Sequence, residues 1–425
     1  MTASSVAPAG DTESVEEFRE RAKRWLAANM PSIDPKHPPV GDRGDDEPWQ
    51  RARELQARIY AGGFAGICFP VEVGGLGLPY AYQQAFSEEA RGYEMPLILN
   101  IPSLTICCAT ILDMGTEAQK RQHIGAALRG DEVLVQLLSE PSGGSDLAGV
   151  ITRADRRGDR WVINGAKTWT TSGFAADYGL CLARTDWNVP KHEGLTMFLV
   201  PMDAPGLTMR RIKQVNGSIE FCEEFFDDLE LGDDAVLGRE NNGWDVASRQ
   251  MYHERRAMGN GSEFASGASF EAPQSTAIDF VDIAERTGQA ADDRVRESAG
   301  RAMVYRAVSD MLSEHVYLGV SDGSLPPAAG SITRAFEAEA QNMETDTALS
   351  IAGTSAAVGA DASLRQFGER YLARQSASLG GGSVEIARNV IAERVLGFPR
   401  EFAADRGMPF NEVRRNQSGN STPKS

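Results

Sequence analysis

Ser139-Glu140-Pro141-Ser142-Gly143-Gly144-Ser145-Asp146 gathers small hydroxyls, a proline and paired glycines at the end of an apolar run, Val133 to Leu138. Proline removes a backbone donor and fixes φ, while adjacent glycines let the backbone approach a ligand closely. Successive N–H groups in such a turn form a concavity suited to a phosphate or a polarised ring edge. Further on, Trp169 stands beside Thr170 and Thr171, a large flat ring next to small donors, which suits an aromatic cofactor. The same spacing also describes an exposed loop followed by a strand with a buried tryptophan, and short motifs do not separate the two. A second glycine turn, Gly380-Gly381-Gly382-Ser383, opens a helical run from Glu385 and offers N–H groups to an anion. Glu254 lies among Arg249, Arg255 and Arg256. It is either a proton acceptor or one member of a solvated ion-pair face.

Three blocks of pattern position these residues. Ser14 to Glu17 has capping-box spacing and opens an amphipathic helix carrying Phe18, Ala22, Trp25 and Leu26. Helical runs continue over 48–61, 79–94, 103–114 and 117–128, giving an N-terminal helical domain over 14–131. Short β-rich runs follow at 133–138, 151–154, 161–163, 178–184, 195–200, 207–213 and 220–227, with turns expected at Arg157-Gly158 and Asn164-Gly165. They predict a middle β-barrel or sandwich domain over 132–243. Helical periodicity returns over 244–258, 275–285, 292–317, 331–358 and 385–396, predicting a C-terminal helical bundle over 244–403. Residues 1–13 and 410–425 read as disordered. The fold class is α+β.

The chain has 425 residues and a formal net charge of −17, which excludes the basic footprint of a nonspecific nucleic-acid binder and disfavours an anionic membrane surface. A polyanionic ligand must therefore meet a local basic patch. Arg210, Arg211 and Lys213 are candidates, although a solvated strand face fits them equally. No apolar run is expected to be long enough to span a bilayer, and the N-terminus lacks the n- and h-regions of a secretory signal. Five cysteines without a CxxC motif or regular framework read as reduced thiols of a cytoplasmic protein. The five histidines are scattered without metal-ligand spacing.

SEPSGGSD followed by NGAKTWTTSG resembles the flavin-binding middle domain of the acyl-CoA dehydrogenases, whose usual forms are close to TEPGAGSD and NGxKxWITN. Three other stretches agree in order: VEVGGLGL (Val71 to Leu78), QVNGSIEFCEEFFDDLEL (Gln214 to Leu231) and GGGSVEIARNVIAERVLGFPRE (Gly380 to Glu401). The look is nearest to actinobacterial members. The resemblance implies the same three-part architecture with FAD between the β-domain and the C-terminal bundle. It implies α,β-dehydrogenation of an acyl-CoA thioester, which needs a base for the α-proton and a cofactor for the β-hydride. The family's flavin contacts fall on Ser139, Ser145, Trp169 and Thr171, with Gln136 and Gly144 from the same stretch and Ser383 and Glu385 from the C-terminal motif. Many members carry the base directly before the GT of that motif, where this chain has Gly381. Others carry it on the helix opening the C-terminal bundle, just before an arginine, and that position is Glu254. Glu385 is a weaker rival. Gly381 still offers its backbone N–H to the thioester oxygen, and Ser145 and Arg255 are the substrate-binding candidates.

The resemblance further implies a homo-oligomer, dimer or tetramer, or a heteromer with a related subunit, and an electron-transfer flavoprotein or similar acceptor. One departure stands out. The RxxFG-type segment that reaches a neighbour's FAD in many members is absent from Glu285 to Asp293. Flavin oxidases, flavin monooxygenases, acyl-carrier-protein dehydrogenases and a non-catalytic partner subunit are alternatives on the same scaffold. Lack of a side chain at Gly381 points to a branched, cyclic or steroid-like acyl group.

Overall fold

The computed structural model describes residues 13–33, 44–258, 262–266 and 278–413, arranged as two compact units. The first holds residues 13–212 and 219–266 together with 407–413, and the second holds 213–218 with 278–406, within these described residues.

The first unit opens with α1 (Val15–Asn29), α2 (Asp46–Ala61) and α3 (Tyr80–Glu89). Ser14 caps α1 reciprocally: its N–H donates to Glu17 Oε2 at 2.8 Å and Glu17 N–H donates to its hydroxyl at 3.3 Å. Phe18, Ala22 and Leu26 recur every four residues and are fully buried against Phe64 and Phe86. A helical segment, Asn100–Cys108, continues into α4 (Ala109–Met114), followed by α5 (Glu117–Gln119) and α6 (Gly125–Arg129).

The stretch Leu97–Met114 corrects the expectation about apolar runs, because it is long and apolar enough to cross a membrane by composition. It packs instead as a core helix, with Leu104, Ile106, Cys107, Cys108 and Ile111 at most 1% exposed. Its partners are β1 and a later helix, so the hydrophobic run satisfies a protein interior.

Strands β1 (Leu134–Leu137), β2 (Arg153–Arg157), β3 (Arg160–Thr171), β4 (Tyr178–Arg184), β5 (Leu195–Pro201), β6 (Leu207–Ile212), β7 (Phe221–Leu231) and β8 (Val236–Leu237) form one mixed sheet. The order is β6-β7-β3-β2-β4-β5-β8, with β1 parallel to β4. Arg157-Gly158 is the β2–β3 turn, as expected. Asn164-Gly165 is not a turn: β3 runs through it, and the register against β7 shifts between Ile163 and Gly165. Gly165 has φ +149°, and a Cβ there would fall 2.6 Å from Thr152 Oγ1, so the Asn-Gly pair marks a bulge packed against a neighbouring strand.

Helix α7 (Gly243–Met258), at the expected start of the C-terminal bundle, packs within the first unit against Asn100–Cys108, α4 and β5. Residues 410–413, at the start of the tail expected to be disordered, are ordered. Phe410 is 2% exposed, its ring lies under the Arg184 guanidinium at 3.6 Å, and its N–H donates to Val189 O at 2.9 Å. An aromatic side chain with a buried site to fill orders its own backbone. Residues 1–12 and 414–425 lie outside the described residues.

The second unit contains α8 (Phe280–Arg286), α9 (Asp293–Ser321), α10 (Gly330–Ala352), α11 (Ser355–Val358), α12 (Ala362–Ala373) and α13 (Val384–Val390). The single helix expected over 331–358 breaks at Gly353, which has φ +58°. The helix expected over 275–285 begins at Phe280, its first residues lying outside the described ones. α12 has no counterpart among the expected elements. α9 and α10 pack together, clasped by an Arg306–Glu344 ion pair and by Tyr305 stacked on Phe336 at 5.7 Å.

Candidate active site

Loop 139–146 and the end of β3 form one exposed surface on the first unit. Residues 141–146 are all exposed. Trp169 is 58% exposed although Thr168 and Thr170 on either side are buried. The reason is a second bulge: Thr168 pairs with Glu223 and Thr170 with Cys222, leaving Trp169 as the extra residue at φ +64°. A bulge re-aims a side chain out of the sheet's alternation. Phe221 meets the indole edge-on at 5.8 Å. The indole is therefore turned out of the sheet, on a strand that ends at Thr171 and is bonded through Thr168 N–H to the carbonyl of Ser139 in loop 139–146. Gly144 keeps this surface open, since a Cβ there would sit 3.0 Å from Ser139 Oγ. An exposed aromatic face with small donors fits a flavin ring and its phosphates.

Beneath this surface lies a charged network not anticipated from the sequence. Lys167 and Glu140 form an ion pair at 2.9 Å with side chains 0% and 1% exposed. Glu140 also accepts from the N–H groups of Ile151 at 2.6 Å and Thr152 at 2.8 Å. Burial alone pushes its carboxyl up, but Lys167 and these donors hold it below the usual range. Lys167 donates to Leu138 O as well, and Thr168 N–H donates to Ser139 O at 3.0 Å, so the loop is anchored at both sides of its first serine. A charged pair in an apolar strand context was the available signal for it.

Glu224, across the sheet on β7, is 0% exposed and accepts from Thr170 Oγ1 at 2.7 Å. Burial pushes its carboxyl up to about 7, against the lowering pull of Thr170 and Lys167. Between its ordinary value of 4.5 and about 7 the folded chain keeps a proton that the unfolded chain loses. Stability therefore falls as pH rises through that window. Glu224→Gln should flatten this slope by on the order of 2–3 kcal/mol between pH 5 and 7. Urea titrations of both proteins across that range check it, and parallel slopes would refute it.

Glu254 lies on α7 and faces β1. Gln136 Nε2 donates to Glu254 Oε2 at 3.2 Å, which links a residue expected at the cofactor to the candidate base. The Glu254 residue is only partly buried at the surface, yet enough protein surrounds its carboxyl that desolvation dominates and raises its pKa, with Gln136 and Arg255 pulling the other way. A carboxyl whose pKa is raised by burial suits a general base. Arg255 is exposed beside it. His253 turns away, its Nε2 2.7 Å from Asp113 Oδ2, a carboxylate that Arg249 also holds at 2.8 Å. Arg249, one of the arginines around Glu254, thus pairs with Asp113. Of the basic patch, Arg211 is engaged with Gly44 O and Asp46.

In the second unit, Gly381 and Gly382 have φ +68° and +96°, a conformation that glycine adopts without strain. Arg334 fixes the turn by donating to Gly380 O at 2.6 Å. Ser383 is 9% exposed and accepts from Ile386 N–H as the cap of α13. Glu385 is exposed in the first turn of that helix.

The chain matches the acyl-CoA dehydrogenase N-terminal domain over residues 12–131, the middle domain over 136–229 and the C-terminal domain over 241–396. It is 33% identical over 390 residues to acyl-CoA dehydrogenase IpdE1 of Mycobacterium tuberculosis, covering 92% of this chain and 99% of that protein. Its fold is similar to that of the Tcur3481-Tcur3483 steroid ACAD, with TM-score 0.71 and 26% identity over 92% of this chain and 99% of that one. The ChsE4-ChsE5 complex from Mycobacterium tuberculosis has the same fold, with TM-score 0.64 and 24% identity over 93% and 100% of the two chains. With three domain matches that together span most of the sequence and a relative 33% identical over nearly its whole length, this chain belongs to the acyl-CoA dehydrogenase family and is an FAD-dependent oxidoreductase acting on a CH–CH pair.

Proposed function

We propose that the chain converts an acyl-CoA thioester to its trans-2-enoyl-CoA with Glu254 as the acceptor of the α-proton. The observation that supports this reading most directly is a carboxyl with a raised pKa, hydrogen-bonded by a neutral amide, on the position left to carry the base when residue 381 is glycine. When bound, FAD supplies the hydride acceptor. Trp169 would pack on its ring, Thr171 and Ser139 would hydrogen-bond its edge, and Ser145 with the amides around Gly144 would hold phosphate. Ser383 and Glu385, in the C-terminal motif, are further candidates for holding FAD. The Gly381 N–H would polarise the thioester carbonyl and acidify the α-carbon. Ser145 and Arg255 are the groups offered to the substrate.

The acyl group in this reading is branched, cyclic or steroid-derived. Glycine at 381 removes a side chain from the turn, and a structural relative 26% identical to this chain is described as a steroid ACAD. The chain works as an oligomer, either of itself or with a related subunit, and passes electrons to an electron-transfer flavoprotein or similar acceptor. α9 supports the assembly: Val304, Val308, Met311 and Leu318 are 60%, 42%, 64% and 52% exposed at coiled-coil spacing along one stripe. The five unpaired cysteines fit a reducing cytoplasm.

One preparation tests these points. FAD-loaded protein is weighed by mass photometry, then assayed on butyryl-, octanoyl-, isobutyryl- and steroid-side-chain-CoA with a dye acceptor. We expect a species heavier than the 46.0 kDa monomer and a kcat/KM about tenfold or more higher for the bulky esters. Preference for butyryl- or octanoyl-CoA overturns the substrate reading. No turnover on any ester overturns the reaction for this chain alone.

A further inference from the structure

We propose that Gln136 is a positioning residue for the proton acceptor: its side-chain amide holds one oxygen of the Glu254 carboxylate and favours the charged, proton-accepting form. The proposal rests on the assignment of Glu254 as the base.

β1 reads Leu-Val-Gln-Leu, and Leu134, Val135 and Leu137 are all 0% exposed. An apolar residue at 136 would continue this strand. An amide there loses hydration and needs a partner. It finds one 118 residues away in sequence, the Oε2 of Glu254 at 3.2 Å. The amide nitrogen can only donate and carries no charge, so it stabilises the carboxylate without competing for the proton.

The other groups facing Glu254 do not replace it. Cys107, on the segment packed against α7, is a buried thiol whose pKa is raised well above the usual value, first by burial and further by Cys108 and Glu254, so it brings no charge. Asp113 of α4 is taken up by His253 and Arg249. Arg255 favours the ionised form, but after Gln136 and from an exposed position. Burial opposes both. Gln136 is therefore a direct contact that lowers the carboxyl's pKa against the upward push of burial.

The test is Gln136→Leu in FAD-loaded protein, with kcat/KM followed against pH. Losing a donor to a charged acceptor should move the acid limb up by about one to two pH units. Below the limb the rate should fall about ten- to a hundredfold, with near wild-type values well above it. Gln136→Glu, which sets a second carboxyl against the first, should move the limb further upward. In the FAD-free chain, infrared titration of the Glu254 carboxyl, identified by difference from Glu254→Gln, should show the same upward move. A merely structural role would lower the rate equally at every pH. A limb and an infrared midpoint that stay in place overturn the proposal. If Glu254→Gln is inactive while Gln136→Leu leaves the limb unmoved, only the Gln136 role fails. If Glu254→Gln keeps full turnover, the base assignment fails instead.

Discussion

Glu254→Gln is expected to lower turnover by about 10²–10⁴ while FAD binding is unchanged. The size follows from what is removed. An amide cannot take the α-proton, and a positioned general base contributes that range. Selectivity follows from geometry. The flavin-facing candidates of the first unit sit on loop 139–146 and the end of β3, whereas Glu254 sits on α7. The new amide oxygen can still accept from Gln136, so the β1–α7 contact need not be lost. The measurement is the rate of flavin bleaching on mixing with substrate, beside the flavin absorbance of the resting protein. Glu385→Gln is the control, because Glu385 lies exposed in the first turn of α13. Turnover within tenfold of wild type for Glu254→Gln, with a large loss for Glu385→Gln, would move the base to the C-terminal motif.

Lys167→Met should destabilise the folded chain by about 3–5 kcal/mol, the effect of leaving a buried carboxylate unpaired. The Lys167 and Glu140 side chains are almost wholly inaccessible, and the pair ties β3 to loop 139–146. Without the ammonium, Glu140 must either stay charged with two backbone donors or take up a proton and change its hydrogen bonds. The Leu138 carbonyl loses a donor at the same time. FAD affinity should fall with stability, since Ser139 and Gly144 hang from that anchor. Urea unfolding of the FAD-free protein measures the first effect and FAD titration the second. Arg153→Ala, which breaks an exposed pair with Asp155, is the comparison and should change stability by less than about 1 kcal/mol. A Lys167→Met loss as small as that would show that the buried pair is not what holds the loop.

Local signals were legible without the fold. The capping box at Ser14, the β2–β3 turn at Arg157-Gly158, the strand at Tyr178–Arg184 and the long helix over α9 each depend on residues within a few positions of one another. The glycine-serine loop and the flavin-type tryptophan were likewise visible as residue types in order. That residue 381 is glycine, where the family resemblance leads one to look for a carboxylate, could be read at once, because an absent side chain needs no structure to interpret.

The tertiary structure decided the rest, and the reason is chain distance. Asn164-Gly165 has the composition of a turn, but Thr152 packs against the Gly165 Cα, and neighbouring strands hold it extended as a bulge. Whether Trp169 is buried or presented depends on one extra residue in β3 relative to β7, a register that no period-two reading contains. Leu97–Met114 has the composition of a membrane span and becomes a core helix only because β1 and α7 cover it. The buried and half-buried carboxylates find partners far away in sequence: Lys167 with Glu140 across 27 positions, Thr170 with Glu224 across 54 and Gln136 with Glu254 across 118. Residue type told which of these groups can carry charge, but how strongly each holds a proton is set by burial and by partners that only the folded chain brings within hydrogen-bond reach.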